Sequence, residues 1–183
     1  AENLKLVCVT ATGTNNLDKE YLDQRGIAWR NVAGYSTDAV AQHTFALILH
    51  HYSRVAQYDA AVRQGAWKQA KTFCIMPYPM QELAGKKLAV VGYGSIGRRV
   101  AEIAKAFGMT VNVYSQDAEA AVKSDILTLH CPATPENKGF VNKDFISRMK
   151  DGAILINTAR GALLNEEDVA EALKSGKLAA AAI

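Results

Sequence analysis

Short apolar runs and longer periodic stretches take turns along this chain. Leu4–Thr10 is a short apolar run and predicts a buried strand. It ends in Ala11–Asn16, a loop of small residues with turn chemistry. Asn16 is placed to cap a short helix over Leu17–Arg25, Gly26 stops that helix, and Ile27–Val32 reads as the next strand. A second periodic stretch opens at Thr37 or Asp38 and runs to about Arg63. In it Val40, Thr44, Leu47, Ile48, His51, Val55 and Tyr58 recur at three and four residues. This predicts one long helix, closed by Gly65 and Trp67 and long enough to span a domain or subunit boundary. Pro77 and Pro79 keep Phe73–Glu82 out of regular helix, so that segment reads as a surface connector.

From Lys87 the alternation tightens. Lys87–Val91 is an apolar strand, a helical pattern runs from Ser95 to Phe107 with Gly108 as its stop, and Thr110–Tyr114 is the next strand. Ile126–His130 is a strand stopped by Pro132, Asn142–Met149 a short helix, and Ala153–Asn157 a buried strand after the Asp151–Gly152 turn. Asn165 caps a further helix with Asp168 three residues on; it ends near Gly176, and Leu178–Ile183 starts one more strand. Strand and helix in alternation predict an α/β fold built on a parallel, doubly wound sheet. One interval is too short. About eleven residues separate Tyr114 from Ile126, near the lower limit for a crossover with its helix. A dinucleotide-binding sheet usually places helix, strand and helix there. Either the sheet is one strand short or residues are absent near 116–123, and the second reading is favoured. The chain also stops on a strand at Ile183, and it lacks an initiator Met, so it is expected to be processed or incomplete.

A length of 183 residues allows one domain, or one with part of a second. The net charge of +3 is scattered rather than blocked, which gives no footprint for nucleic acid. Cys8, Cys74 and Cys131 are odd in number and lack C-x-x-C spacing, which disfavours a disulfide framework or a metal site and fits a reducing, cytoplasmic setting. No apolar run reaches membrane-spanning length, and Ala1–Asn3 does not open a secretory signal.

The chemistry concentrates where Lys87–Val91 runs into Gly92-Tyr93-Gly94-Ser95-Ile96-Gly97, a G-x-G-x-x-G between a strand and a helix. Gly92 allows the tight turn, Gly94 lets backbone approach a diphosphate, and Gly97 lets the helix pack on the sheet. Free N–H groups and the helix dipole favour the phosphate charge.

The chain resembles the D-isomer-specific 2-hydroxy-acid dehydrogenases over essentially its whole length. Four blocks carry the likeness: Ala11–Asp18; Asn31–Thr37 followed by Val40–His43; the fingerprint with Ala106–Met109; and Asp125–Pro132 through Asn157-Thr158-Ala159-Arg160-Gly161. Gln42-His43, with Trp67 and Phe73-Cys74 following, leans toward glycerate dehydrogenases, which are hydroxypyruvate reductases. The resemblance implies two Rossmann-like lobes. Residues 1–36 would be a remnant of the substrate-binding lobe, and 37–183 the NAD(P)-binding lobe with the long helix in a homodimer interface. It implies hydride transfer between NAD(H) and a small 2-keto or D-2-hydroxy acid such as hydroxypyruvate or glyoxylate, with NADP(H) still open. The alternatives are a D-lactate or phosphoglycerate type of enzyme, and a non-enzymatic NAD(H)-sensing protein of corepressor kind.

Residue by residue, the resemblance makes Arg160 the catalytic arginine, whose planar fork grips carboxylate and carbonyl oxygen together. Thr12 and Gly13 match the loop whose N–H groups hold the substrate carboxylate. Cofactor contacts would come from Gly92, Gly94, Ser95, Ile96, Gly97, Ser115, Gln116, His130, Cys131, Pro132, Thr158, Ala159 and Arg160. No metal is implied. In the family the proton donor is a histidine paired with a glutamate downstream of the strand that ends this chain, and neither is found here. His43, His50 and His51 read as packed or interfacial residues of the long helix, so this polypeptide is expected to bind cofactor better than it turns over substrate. At the end of the strand after the fingerprint helix, where NAD-binding domains carry an acid, stand Ser115-Gln116, with Asp117 one step on.

Overall fold

Five of the apolar runs lie side by side and parallel: β3 (Lys87–Val91), β4 (Thr110–Val113), β5 (Ile126–Leu129), β6 (Ala153–Asn157) and β7 (Leu178–Ala182), in the order β4-β3-β5-β6-β7. The structure, a computed structural model, describes residues 2–183. Because side chains alternate across a strand, Leu88 and Val90 enter one core and Ala89 and Val91 the other. Both faces are covered, which is why these strands read as unbroken apolar runs. One core is closed by Val100 and Ala104 of α5 (Ser95–Ala106) and by Phe45, Ile48 and Tyr52 of α2 (Thr37–Ser53). The other is closed by α6 (Ala118–Val122), α7 (Lys143–Arg148) and α8 (Glu166–Lys174), through Val122, Phe145 and Val169.

A second, two-stranded parallel sheet pairs β1 (Leu6–Val9) with β2 (Ala28–Asn31), with α1 (Lys19–Gln24) between them. The cap of α1 falls two residues later than expected. Asp18, not Asn16, accepts the Tyr21 N–H at 2.9 Å. A carboxylate is also the better complement to the positive end of a helix.

The single long helix expected over residues 37–63 is two. Helix α2 stops at Ser53, Arg54 takes a left-handed conformation with φ 54°, and α3 (Val55–Arg63) sets off anew. The Tyr52 carbonyl, which an unbroken helix would spend on residue 56, accepts the Gln81 N–H at 3.2 Å. Tyr58 of α3 donates its hydroxyl to the Tyr78 carbonyl at 2.8 Å. The proline-bearing connector thus bends the helix by competing for its backbone. A four-residue helix, α4 (Ala66–Gln69), follows where only a stop was expected.

The short interval between β4 and β5 holds α6, a five-residue helix capped by Asp117, and no strand. Strand β4 is consequently the edge of the sheet.

Candidate functional site

Strands β3, β5 and β6 end on the same side of the sheet, and the turns after them meet. Gly92, with φ 96°, follows β3 so closely against the turn after β5 that an added Cβ would overlap the Cys131 nitrogen. At Gly97 a Cβ would overlap the Gly92 carbonyl oxygen, so this glycine lets α5 rest on the turn. Gly94 differs. Its φ of −78° is open to any residue, yet nothing lies within 4 Å of where a Cβ would project. The backbone at Gly94 therefore faces free space at the start of a twelve-residue helix that has no side-chain cap and no acid in its first turn. That is a cradle a Cβ would fill, and its amide donors and dipole suit a diphosphate. The fingerprint fits the dinucleotide it was read to hold.

Beside the cradle lies a cavity of about 600 Å³ between the two sheets. Thr12 and Gly13 line one wall, and Ile96, His130, Cys131, Pro132, Thr158, Ala159 and Arg160 the other. Gly92, Gly94, Ser95 and Gly97 do not line it, and neither do Ser115 and Gln116, which sit exposed after β4. Asp117 commits its carboxylate to the Ala120 N–H at 2.9 Å. Lys19, Tyr35, Ser36 and Val40 also face the cavity; Tyr35, Ser36 and Val40 lie in the stretches that carry the family likeness without a site role having been assigned to them, and nothing in the sequence marked Lys19. No lining residue carries a carboxylate, whereas Lys19 and Arg160 both bring positive charge.

Arg160 lines this cavity from the turn after β6. Its Nε donates to Asn15 Oδ1 at 3.3 Å and its Nη1 to the Ala159 carbonyl at 2.8 Å. Its Nη2 rests on Gly13, where an added Cβ would overlap it. Among the described residues no ion pair engages this guanidinium. The turn beneath it is shaped by Asn157, whose Oδ1 accepts the Ala159 N–H at 3.0 Å and the Arg160 N–H at 3.2 Å, while its Nδ2 donates to the Arg160 carbonyl at 2.8 Å. Asn15 and Asn157 are thus the polar supports that turn statistics alone did not single out, although an Asn closing a buried strand three residues before an Arg was a usable signal.

His130 is held by Thr128, with Oγ1 and Nε2 3.0 Å apart, and its backbone N–H donates to the Val91 carbonyl at 2.7 Å. Burial pushes its imidazole down to about 4, so at neutral pH it is uncharged. Burial also raises the Cys131 thiol, which stays protonated and weakly nucleophilic. His43 lines a neighbouring cavity of about 750 Å³ that shares Thr158, Ala159 and Arg160, and His50 lies exposed on α2. Burial, then the charge of Arg54, lower His51. Among the described residues no group of three or more His, Cys, Asp or Glu is placed to hold a metal, and no helix is long and apolar enough to cross a membrane.

Known proteins resemble this chain in sequence and in fold. The family model for the D-isomer specific 2-hydroxyacid dehydrogenase NAD binding domain matches residues 45–183. A hydroxypyruvate reductase of Blautia hydrogenotrophica is 38% identical over 99% of this chain and 61% of its own length. A glycerate dehydrogenase of Methylorubrum extorquens is 37% identical over 98% of this chain and 60% of its own. Among solved structures, D-lactate dehydrogenase from Aquifex aeolicus, complexed with NAD and lactic acid, superposes with a TM-score of 0.83 at 32% identity, covering 97% of this chain and 56% of that one. The chain spans about 60% of the length of the curated relatives it matches. The stretch matched with the Blautia protein is 196 positions long against 183 residues here, so that relative carries residues inside the matched span that this chain does not.

Proposed function

Since the chain belongs to the D-isomer specific 2-hydroxyacid dehydrogenase family, we propose that the protein moves a hydride between NAD(H) and a small 2-keto or D-2-hydroxy acid in the cavity that Gly13 and Arg160 share. The observation that carries this reading is the guanidinium seated on the Gly13 backbone, in no ion pair among the described residues, in one cavity with the turns that follow β5 and β6. Bound NAD(H) supplies the hydride at its nicotinamide ring. The Gly94–Gly97 turn would hold the diphosphate through its N–H groups. Ile96, His130–Pro132 and Thr158–Ala159 would border the nicotinamide side. The Thr12–Gly13 backbone would take the acid's carboxylate, and Nη2 of Arg160 would polarise the carbonyl oxygen as negative charge grows on it. His130, being neutral, serves as packing for the ring rather than as proton donor.

The likeness to a hydroxypyruvate reductase and a glycerate dehydrogenase supports hydroxypyruvate as the acid. The exposed Ser115 and Gln116 bring no cation toward a ribose 2′-phosphate, which supports NAD(H) over NADP(H). We assign residues 1–36 to the substrate lobe and 37–183 to the nucleotide lobe, with the extra residues of the relatives falling in the short β4–β5 crossing. Exposed Val55, Val62, Trp67 and Phe73 support a homodimer through the bent helix and its connector. Free cysteines support a reducing, cytoplasmic setting.

The test is NADH fluorescence titration, followed by titration of the NADH-loaded protein with hydroxypyruvate, glyoxylate and oxamate, a carbonyl-carboxylate mimic, and of the NAD+-loaded protein with D-lactate. Saturable NADH binding, with acid binding that falls about a hundredfold in Arg160→Ala, supports the reading. Absence of NADH binding, or acid binding indifferent to Arg160, overturns it.

A further inference from the structure

Asn157 closes β6 at the base of the turn that carries Arg160, lines the neighbouring cavity, and is 7% exposed. A buried primary amide has to place both its oxygen and its nitrogen on partners, and this one spends them all on two residues. We infer that Asn157 is a positioning residue, which governs acid binding through Arg160; the inference rests on the reading of Arg160 given above.

Two links run from the amide to the guanidinium. The first is the Arg160 backbone itself. Its N–H is taken by Asn157 Oδ1 at 3.2 Å and its carbonyl by Asn157 Nδ2 at 2.8 Å, so the point from which the side chain departs is fixed at both ends of the residue. The second is the Ala159 peptide. Its N–H is held by the same Oδ1 at 3.0 Å, and the Ala159 carbonyl in turn accepts Arg160 Nη1 at 2.8 Å. The amide therefore sets both where the arginine starts and the acceptor that steers one arm of its fork, which leaves Nη2 against Gly13. Thr158, between them, is tied to α2 by a 3.3 Å contact of its Oγ1 with Thr44 Oγ1, and Thr44 is fully buried. Only a side chain that accepts twice and donates once at this reach does the whole task. Aspartate keeps the acceptors and loses the donor, and aliphatic residues lose everything.

The experiment is a double-mutant cycle read as oxamate affinity at saturating NADH in wild type, Asn157→Ala, Arg160→Ala and the double variant. Asn157→Ala alone is expected to weaken oxamate about tenfold, and to add less than about twofold once Arg160 is gone. An equal loss in both backgrounds, or no loss in the first, makes Asn157 merely structural and overturns the inference while leaving Arg160 in place. No loss in Arg160→Ala itself overturns both readings. If Asn157→Ala does not fold, the isosteric Asn157→Asp takes its place in the same cycle, with the same expectation of a loss that vanishes without Arg160.

Discussion

The Nη2 of Arg160 occupies the space a Cβ would fill at Gly13, although the two residues are 147 positions apart and follow strands of different sheets. Gly13 does not have a left-handed φ, so its want of a side chain serves contact and not conformation. Gly13→Ala is therefore expected to fold with little change in melting temperature. It should displace the guanidinium and weaken oxamate or hydroxypyruvate binding by about tenfold to a hundredfold. Thermal melts beside an acid titration of the NADH-loaded protein check both halves; acid affinity within twofold of wild type defeats the expectation.

The fingerprint glycines should separate cleanly. At Gly94 a methyl group meets open space and an ordinary φ, so Gly94→Ala leaves stability unchanged and lowers NADH affinity. At Gly97 it meets the Gly92 carbonyl, so Gly97→Ala costs about 1–3 kcal/mol of stability. Urea denaturation and NADH titration of the two variants should give opposite rankings.

His130 makes stability depend on pH in a stated direction. Its pKa falls from 6.5 to about 4 on folding because it is buried, so between those values only the unfolded chain takes up the proton. Stability from this group is complete above about 6.5, declines as pH falls toward about 4, and is flat below. The full span is on the order of 3 kcal/mol. Urea melts at pH 7, 5.5 and 4.5 should show that slope in wild type and a shallower one in His130→Gln.

Arg54 carries a conformation that L-residues with side chains adopt at a cost of about 1–2 kcal/mol. Part of that cost returns when glycine enlarges the unfolded ensemble. Arg54→Gly is expected to gain roughly 0.5 kcal/mol with the helix bend intact. Equilibrium denaturation decides it, and a destabilised variant would show that the side chain of Arg54 matters more than its backbone.

What the sequence made legible was what local chemistry decides. Alternating apolar runs disclosed all five parallel strands, and Gly92–Gly97 disclosed the cradle, because a tight strand-to-helix turn restricts which residues fit it. Arg160 and the Thr12–Gly13 loop were found through resemblance, and geometry then placed them in one cavity. The break at Arg54 was hidden because the apolar spacing continues through it; what ends α2 is a Tyr52 carbonyl claimed by Gln81 from a distant loop. Lys19 was hidden for a like reason, since the cavity wall it lines is assembled from segments far apart in the chain. Asn157 lay within reach of a local reading, because all its bonds fall within three residues.

The hydrogen bonds that tie the Asn15 loop to the opposite wall are long, 3.3 Å to Arg160 and 3.5 Å to the Ala133 carbonyl. Both are polar and lie at the surface, where water can replace either partner almost without loss. These two contacts therefore add little to holding the walls together, and a dissolved acid that displaces Asn15 from the guanidinium forfeits little binding energy.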